Sequence, residues 1–247
     1  MKAKILMELG GHSFQSNLNQ PVEIGITLRD GSKNPNCFYA SSPAFEPVKS
    51  GDFVGCIKEG SPVNFYDVKF NPHGNGTHTE CSGHVFNNGL VMAGLLDSYF
   101  FPAVLVSISP SAEGVVLRKD VGEIPEWVEA VIIRTLPNNK DKLEKIYSGK
   151  DPAFLETSLL DYFAKIGIKH LMVDLPSVDP EKDGGLLAGH KAFWNSLHGD
   201  RTRCTITELV YVGNEVEDGY YMVNLQFPSM ELDAVPSNPI LYKLNKL

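Results

Sequence analysis

The stretch "NPHGNGTHTECSGHVF", residues 71–86, decides how this sequence is interpreted. It contains three of the chain's seven histidines together with a carboxylate and a thiol, namely His73, His78, His84, Glu80 and Cys81. The simplest alternative is a polar loop whose histidines contact solvent or cap neighbouring elements. Three imidazoles clustered with a carboxylate favour a metal or catalytic site over that alternative.

The spacing inside this stretch separates candidate ligands from structural side chains. Successive side chains of an extended chain point to opposite faces. His78 and Glu80 therefore share one face, whereas Thr79 and Cys81 share the other. An imidazole and a carboxylate on one face are suitable ligands for a zinc-like cation. Cys81 points away from them and is interpreted as a structural thiol rather than a nucleophile.

Glycines at three positions of the stretch, Gly74, Gly76 and Gly83, permit backbone turns. Such turns could bring His73 and His84 toward the same point as the extended pair.

Further ligands are expected downstream. A helix over 184–199 places His190 on an apolar face shared with Leu186, Phe193 and Leu197. The alternative there is a core histidine bonded to a backbone carbonyl. His198 lies beside the glycine that ends this helix. It is expected to complement the helix dipole and is kept only as a reserve ligand.

A carboxylate lies in an apolar row of the predicted strand 203–212. Alternation places Glu208 on one face with Ile206 and Val210, where a carboxylate is costly unless it is paired or metal-bound. The alternative is that this face is solvated. Tyr211 and the two threonines of the strand make the other face the wetter one, which favours Glu208 as a ligand.

The remaining sequence mixes short apolar runs with helical patterns. Strands are predicted over 21–28, 64–70, 99–109, 129–136, 168–176, 203–212 and 219–228, and helices over 151–167 and 184–199. No strict strand–helix–strand rhythm is present. The pattern predicts an α/β fold with a mixed β-sheet and packed helices, forming a single domain over 1–247.

Composition narrows the partners. The net charge of −8 repels phosphate backbones, so no nucleic-acid partner is expected. No apolar run is long enough to span a membrane, and "MKAKILMELGGHSF" (1–14) lacks the apolar stretch of a signal peptide. The four widely spaced cysteines form no C-x-x-C pair, which is typical of reduced thiols in a cytoplasmic protein.

Several blocks of sequence together resemble a known family. They are "GTHTECSGH" (76–84), "EAVIIRT" (129–135), "FAKIGIKHLMVDLPSVDP" (163–180), "GHKAFW" (189–194) and "TITEL" (205–209). In this order they resemble the cyclase family of metal-dependent hydrolases, which includes bacterial kynurenine formamidases and isatin hydrolases. Its signature has the form H-x-G-T-H-x-D-x-P-x-H.

The resemblance implies a role for each matching position. His78 would bind a divalent metal, and Glu80 would replace an aspartate that can bridge two metals. His190 and Glu208 would match the histidine and glutamate of the second-metal half. His84 would match a catalytic histidine outside the coordination sphere. A swivelling β/β/α fold and a homodimer are also implied.

The sequence departs from the signature in several places. Gly74 occupies the position of the first family histidine, and His73 lies one residue earlier, so it would need a local bulge to reach the metal. Ser82 replaces the family's proline, and Glu80 is one methylene longer than aspartate. The segment "SLHGDR" (196–201) lengthens the interval between His190 and Glu208. These changes indicate a divergent branch.

The function predicted from the sequence is hydrolysis of a carbon–nitrogen amide bond in a small molecule, either a formamide or a cyclic amide. One or two divalent ions, zinc or manganese, would activate a water, and His84 would act as the acid/base. The alternatives are a non-catalytic metal- or ligand-binding protein on the same fold, or a lactone hydrolase or cyclase.

An aromatic lid is a further possibility. Its candidates are Phe38, Tyr39, Phe45 and Phe65, for which core packing is the alternative.

Overall fold

A computed structural model describes residues 3–247 of the chain. Met1 and Lys2, the first residues of the N-terminal stretch expected to carry no signal peptide, lie outside the described part. The strands are β1 (Lys4–Leu9), β2 (His12–Asn17), β3 (Val22–Glu23), β4 (Ala44–Pro47), β5 (Lys49–Ser50), β6 (Phe53–Val54), β7 (Tyr66–Lys69), β8 (His78–Glu80), β9 (Phe100–Ile108), β10 (Val115–Val116), β11 (Ala130–Thr135), β12 (Phe154–Leu155), β13 (His170–Val173), β14 (Thr205–Glu208), β15 (Gly219–Asn224), β16 (Ala234–Pro236), β17 (Ile240–Lys243) and β18 (Asn245–Lys246).

Helical segments are short. The α-helices are α1 (Pro72–Asn75), α2 (Thr157–Lys165) and α3 (Ala188–Phe193), and 3-10 turns cover Ile57–Glu59, Ser82–His84, Arg118–Asp120, Lys140–Leu143 and Ser196–His198. No helix among residues 3–247 is long and apolar enough to cross a membrane.

A nine-stranded mixed sheet organises the molecule. Its strand order is β16-β8-β14-β13-β11-β9-β15-β17-β3. The four central strands β14, β13, β11 and β9 are parallel, and the flanking strands pair antiparallel. The prediction of an α/β fold with a mixed sheet is therefore confirmed.

Both faces of the central sheet are buried. In β11, Ala130 and Ile132 belong to one hydrophobic cluster, whereas Val131 and Ile133 belong to another on the opposite face. A strand buried on both faces is apolar on both rather than alternating, and the first four residues of β11, Ala130 to Ile133, show this pattern. Helix α2 covers the second cluster with Leu159, Leu160 and Phe163.

Several predicted elements are much shorter in the structure. The strand predicted over 21–28 is reduced to β3, two residues long. The strands predicted over 168–176 and 203–212 are reduced to β13 and β14, of four residues each. The helix predicted over 184–199 is reduced to α3 and a separate 3-10 turn. Gly184 and Gly185 have positive φ angles and delay the start of α3. Leu186 and Leu197 consequently lie outside the helix and are 68% and 86% exposed. The prediction that these two leucines share a buried apolar face with His190 and Phe193 is therefore wrong.

The prediction of a wetter face on β14 is also wrong. Thr205 and Thr207 are completely buried, as is the face that carries Glu208. Thr207 Oγ1 lies 2.8 Å from Thr79 Oγ1 on the neighbouring strand, so the two hydroxyls satisfy one another. Paired hydroxyls permit a polar row inside the core without solvent.

Candidate metal centre

The edge of the main sheet carries the central part of the site. Strands β8 and β14 pair antiparallel, with Glu208 opposite His78 and Ile206 opposite Glu80. Because alternate residues of a strand share a face, His78 and Glu80 project to the same side as Glu208. Cys81 belongs to the hydrophobic cluster on the other side, as the alternation predicts.

The short helix α1 brings His73 to this group. Asn71 caps the helix through its side chain, which accepts a hydrogen bond from the Gly74 amide. A Cβ atom at position 74 would lie 2.3 Å from Cβ of Ala40, so only glycine fits there. The chain therefore cannot carry a side chain where the family places its first histidine, and a helical turn rather than a bulge delivers His73.

The 3-10 turn Ser82–His84 returns His84 to the site. Gly83 approaches the neighbouring segment closely, since a Cβ there would lie 2.0 Å from the Leu90 carbonyl oxygen. The imidazole of His84 consequently stacks on that of His73, with ring centroids 4.3 Å apart. The turn predicted at Gly83 is present.

The fourth histidine comes from α3. Asp179 accepts hydrogen bonds from the amides of Gly189 and His190 at the start of this helix. The same carboxylate accepts a hydrogen bond from Nδ1 of His190 at 2.6 Å. The second nitrogen, Nε2, is thereby left free to face the carboxylates of the site, which is the arrangement usual for metal-binding histidines.

Glu80 is the centre of the cluster. Its Oε1 lies 3.0 Å from His190 Nε2, and its Oε2 lies 3.3 Å from His73 Nδ1. His84 Nε2 is 3.8 Å from the same Oε2. Glu208 completes the arrangement, with its two oxygens 3.4 Å from His78 Nε2 and 3.6 Å from His190 Nε2. The side chain of Glu80, which is longer than that of aspartate, thus reaches His73 with one oxygen and His190 with the other.

Atoms at this centre are buried without hydrogen bonds. His78 Nε2 and both carboxylate oxygens of Glu80 have no hydrogen-bond partner among residues 3–247. The 3.0 Å contact between Glu80 and His190 is a close approach of charges, not an oriented hydrogen bond. His78 donates through Nδ1 to the Gly76 carbonyl, so its Nε2 presents a lone pair to the site. Buried lone pairs facing one another are costly unless a cation lies between them.

The pKa shifts of the cluster agree with a binding site for a cation. Burial disfavours the charged forms of Glu80 and Glu208, yet the neighbouring imidazoles hold the pKa of both carboxyls below its ordinary value. Burial also opposes charge on His73, but Asp233 and Glu80 outweigh it and raise the pKa of His73 to about 10. In the metal-free chain, protons on the imidazoles neutralise the negative charges of the carboxylates. A divalent cation can replace those protons. The donor set therefore fits a divalent metal.

Three overlapping groups of side chains place their ligand atoms within 4.8 Å of one another: His73, His78 and Glu80; Glu80, His84 and His190; His73, His84 and Asp233. All six residues singled out from the sequence thus lie in one place, since Glu208 contacts His78 and His190. The reserve candidate, His198, lies elsewhere and contacts Asp161 of α2 at 2.7 Å.

Sequence reasoning missed two residues of the cluster. Asp179 lies in a block that carried the family resemblance, but it precedes the start of α3 by nine residues, so no local capping pattern singles it out. Asp233 lies in an irregular segment before β16, where no periodic pattern singles it out. It accepts hydrogen bonds from both His73 and His84, at 3.2 and 2.9 Å.

A cavity of about 460 Å³ opens over the cluster. Phe38, His73, His84 and Asp179 are among the residues that line it. Phe38 is 48% exposed at its rim, and Tyr39 and Phe65 are also exposed, so core packing is wrong for these three aromatic residues. The volume suits a small molecule.

The family follows from sequence comparison. The profile of the Cyclase family, described as "Putative cyclase", matches residues 17–180, about two-thirds of the chain. The protein belongs to this family, as the resemblance of its sequence blocks predicted.

Two individual relatives are similar to this chain over more than half of its length. Kynurenine formamidase of Bacillus cytotoxicus is 29% identical over 194 residues, which cover 77% of this chain and 86% of the relative. Kynurenine formamidase of Erythrobacter litoralis is 31% identical over 142 residues, which cover 55% of this chain and 60% of the relative.

Solved structures share the fold. A protein described as a potential metal-dependent hydrolase with cyclase activity superposes with a TM-score of 0.67 at 17% identity, covering 90% of this chain and 97% of the other. An isatin hydrolase bound to the product analogue thioisatinate gives a TM-score of 0.61 at 13% identity, covering 92% and 93%. The fold expected from the family resemblance is confirmed.

Proposed function

We propose that this protein is a metal-dependent hydrolase of a carbon–nitrogen amide bond. The observation that carries the proposal is the set of buried, unpartnered donor atoms at the cluster, namely both oxygens of Glu80 and Nε2 of His78. The named activity of the kynurenine formamidase relatives supports the same class of reaction. A formamide and a cyclic amide are the two substrate types proposed, as in the prediction from the sequence.

Two overlapping sets of residues would hold the metal. His73, His78 and Glu80 form the first set, and Glu80 shares its other oxygen with a second set completed by His190 and Glu208. The donors are imidazole nitrogens and carboxylate oxygens without a thiolate, a combination that suits zinc and also accommodates manganese. We propose one or two ions, with zinc favoured.

When bound, the divalent ion supplies a water of lowered pKa and polarises the amide carbonyl. His84 would move a proton between this water and the leaving nitrogen. Its Nδ1 donates to Asp233 at 2.9 Å, which fixes the tautomer and directs Nε2 toward the cluster. Asp233 is thus proposed to position His84. Phe38 would cover the flat face of a bound substrate at the rim of the cavity.

Elemental analysis of protein purified without chelator tests the metal part of the proposal. A content approaching one or two zinc or manganese ions per chain is expected. A content below about a tenth of an ion per chain, even after reconstitution, would contradict it.

Three wider features are proposed on the strength of the family resemblance and the composition. Residues 1–247 would form one cyclase-type domain, the protein would assemble as a homodimer, and it would act in the cytoplasm. Size-exclusion chromatography with light scattering tests the dimer directly.

A further inference from the structure

Arg201 is a buried cation that takes no part in the metal cluster. It ends the segment 196–201 and is only 5% exposed. Its Nε donates to the carbonyl of Phe193 at 3.0 Å, and its guanidinium carbon lies 4.7 Å from the centroid of the Phe193 ring. The two terminal nitrogens make no hydrogen bond to any residue in 3–247, and Nη2 is fully buried.

Two other buried cations in the described part of the chain are paired. Arg134 contacts Asp218 at 2.9 Å, and Lys142 contacts Asp174 at 2.7 Å. Arg201 has no carboxylate within ion-pair distance in the described part of the chain. A buried charge without a counter-charge is unfavourable. The charge of Arg201 is therefore not neutralised by any carboxylate of residues 3–247.

A cavity of about 580 Å³ adjoins this side chain. Hydroxyl and amide groups contribute much of its lining, from Ser82, Asn88, Asn195, Ser196 and Thr202. Lys191 and Arg201 supply two positive charges against one carboxylate, Asp200, whose Oδ1 accepts hydrogen bonds from the amide and hydroxyl of Thr202. The lining thus carries a net positive charge together with neutral hydrogen-bond donors.

We infer that this cavity is a binding site for a small oxyanion, a carboxylate or a phosphate-type group, anchored by the guanidinium of Arg201. Nη1 is the donor available to such a group, because Nε already donates to Phe193 and Nη2 is fully buried. A protein surface is a poor alternative, because a flat partner cannot reach a residue that is 5% exposed. A small ligand that enters the cavity can reach Nη1.

The cavity borders the segments that carry two residues of the metal cluster. Ser82 begins the turn that delivers His84, and the Trp194 ring lies 5.8 Å from that of His190. A bound anion would contact both segments and restrict their movement. The anion site nevertheless stands independently of amide hydrolysis, because its residues are outside the cluster and its test measures binding.

Calorimetric titration with sulfate and with acetate tests the inference on the protein as purified. Sulfate represents a phosphate-type group and acetate a carboxylate, so the tighter of the two identifies the source of the anion. Saturable binding is expected for the wild type. Arg201→Met should weaken it at least about tenfold, because a positive charge and the charge-assisted hydrogen bond from Nη1 are lost. Arg203→Met is the matched control, since that exposed arginine pairs with Asp97 and should leave the affinity unchanged.

Two results would overturn the inference. Equal affinity in the wild type and Arg201→Met would place the anion elsewhere, for example at the metal. No saturable binding of either anion to the wild type would mean that water satisfies the guanidinium. If Arg201→Met does not fold, Arg201→Lys replaces it. Lysine keeps the charge, but its single ammonium group cannot both donate to the Phe193 carbonyl and reach the anion, so weaker binding is expected and equal binding refutes the role of Arg201.

Discussion

The carboxylate of Asp233 joins two histidines of the cluster: its Oδ2 lies 2.9 Å from Nδ1 of His84 and 3.2 Å from Nε2 of His73. A carboxylate that accepts from Nδ1 holds an imidazole in one tautomer and one orientation. Asp233 thus links the residue proposed as acid/base to a residue proposed as ligand. It lies beyond the family match at 17–180.

Asp233→Asn should lower kcat by about 10- to 100-fold with a smaller change in KM, because the amide no longer favours the productive tautomer of His84. Steady-state kinetics on a substrate that the wild type hydrolyses provides the measurement. Glu231→Gln is the matched control, since Glu231 is an exposed carboxylate two residues away. An equal loss in both variants, or full activity in Asp233→Asn, would show that Asp233 does not position His84.

His84→Ala and His78→Ala should behave differently. His84→Ala is expected to keep its metal and lose turnover by roughly 10²- to 10⁴-fold, the usual contribution of general acid–base help. His78→Ala should lose the metal, because Nε2 of His78 is a buried donor with no other partner. Metal content and kcat measured side by side distinguish the two roles. Parallel metal loss in both variants would make His84 a ligand.

Glu208→Gln should lose the stabilisation that metal gives to the wild type. Burial and the nearby Glu80 oppose the charge of Glu208 in the metal-free chain, but His190 and His78 outweigh them and lower its pKa, so removing the charge should also lower the stability of the apoprotein. The metal-induced rise in Tm is therefore the quantity to compare. Melting curves with and without added metal measure the difference. A metal-induced rise in Tm equal to that of the wild type would indicate that Glu208 is not a ligand.

Gly74→Ala should destabilise the fold by about 1–3 kcal/mol, the range for overpacking a tight contact. The added Cβ would lie 2.3 Å from Cβ of Ala40 and 3.1 Å from the Cys37 carbonyl oxygen. Urea unfolding measures the change. Gly122→Ala, where no atom lies within 4 Å of the added Cβ, is the control. Combining Gly74→Ala with Ala40→Gly should recover most of the loss, and failure to do so would place the strain elsewhere.

His170 should make stability depend on pH. Burial lowers the pKa of His170 to about 3 from an unfolded value of 6.5. Below the unfolded pKa only the unfolded chain takes up this proton, so the free energy of unfolding falls as pH falls toward the folded pKa. The contribution is about 2 kcal/mol between about pH 7 and pH 5, at about 1.4 kcal/mol per unit below the unfolded pKa.

His170→Asn should remove this contribution while keeping a hydrogen bond to Thr205. Urea unfolding of metal-free wild type and variant at the two pH values gives the comparison, in which other titrating groups cancel. The exposed His12→Asn is the matched control. A pH dependence of stability that is the same in wild type and His170→Asn would contradict the prediction.

Much of the cluster could be predicted because it depends on local geometry. Alternation along an extended chain places His78 beside Glu80, and that requires only that β8 be a strand. Gly83 indicated the turn before His84. The mixed sheet followed from apolar runs without a strict strand–helix rhythm. Whether each clustered residue binds metal stays a prediction.

Other features could not be predicted because they depend on tertiary contacts. The burial of Thr207 rests on a hydroxyl pair with Thr79, 128 positions away. The requirement for glycine at position 74 comes from Ala40, which is far away in sequence. Asp233 acquires its partners only when β16 pairs with β8. Periodicity within one segment contains no information about such contacts.

Hydrolysis of an aryl formamide and of a cyclic amide, compared between metal-reconstituted and chelator-treated protein, tests the central claim most directly. The reconstituted protein should hydrolyse at least one of the two substrates, and the chelated protein should lose that turnover and regain it when metal is restored. No turnover of either substrate at full metal occupancy, or turnover that is unaffected by complete metal removal, would contradict a metal-dependent amide hydrolase.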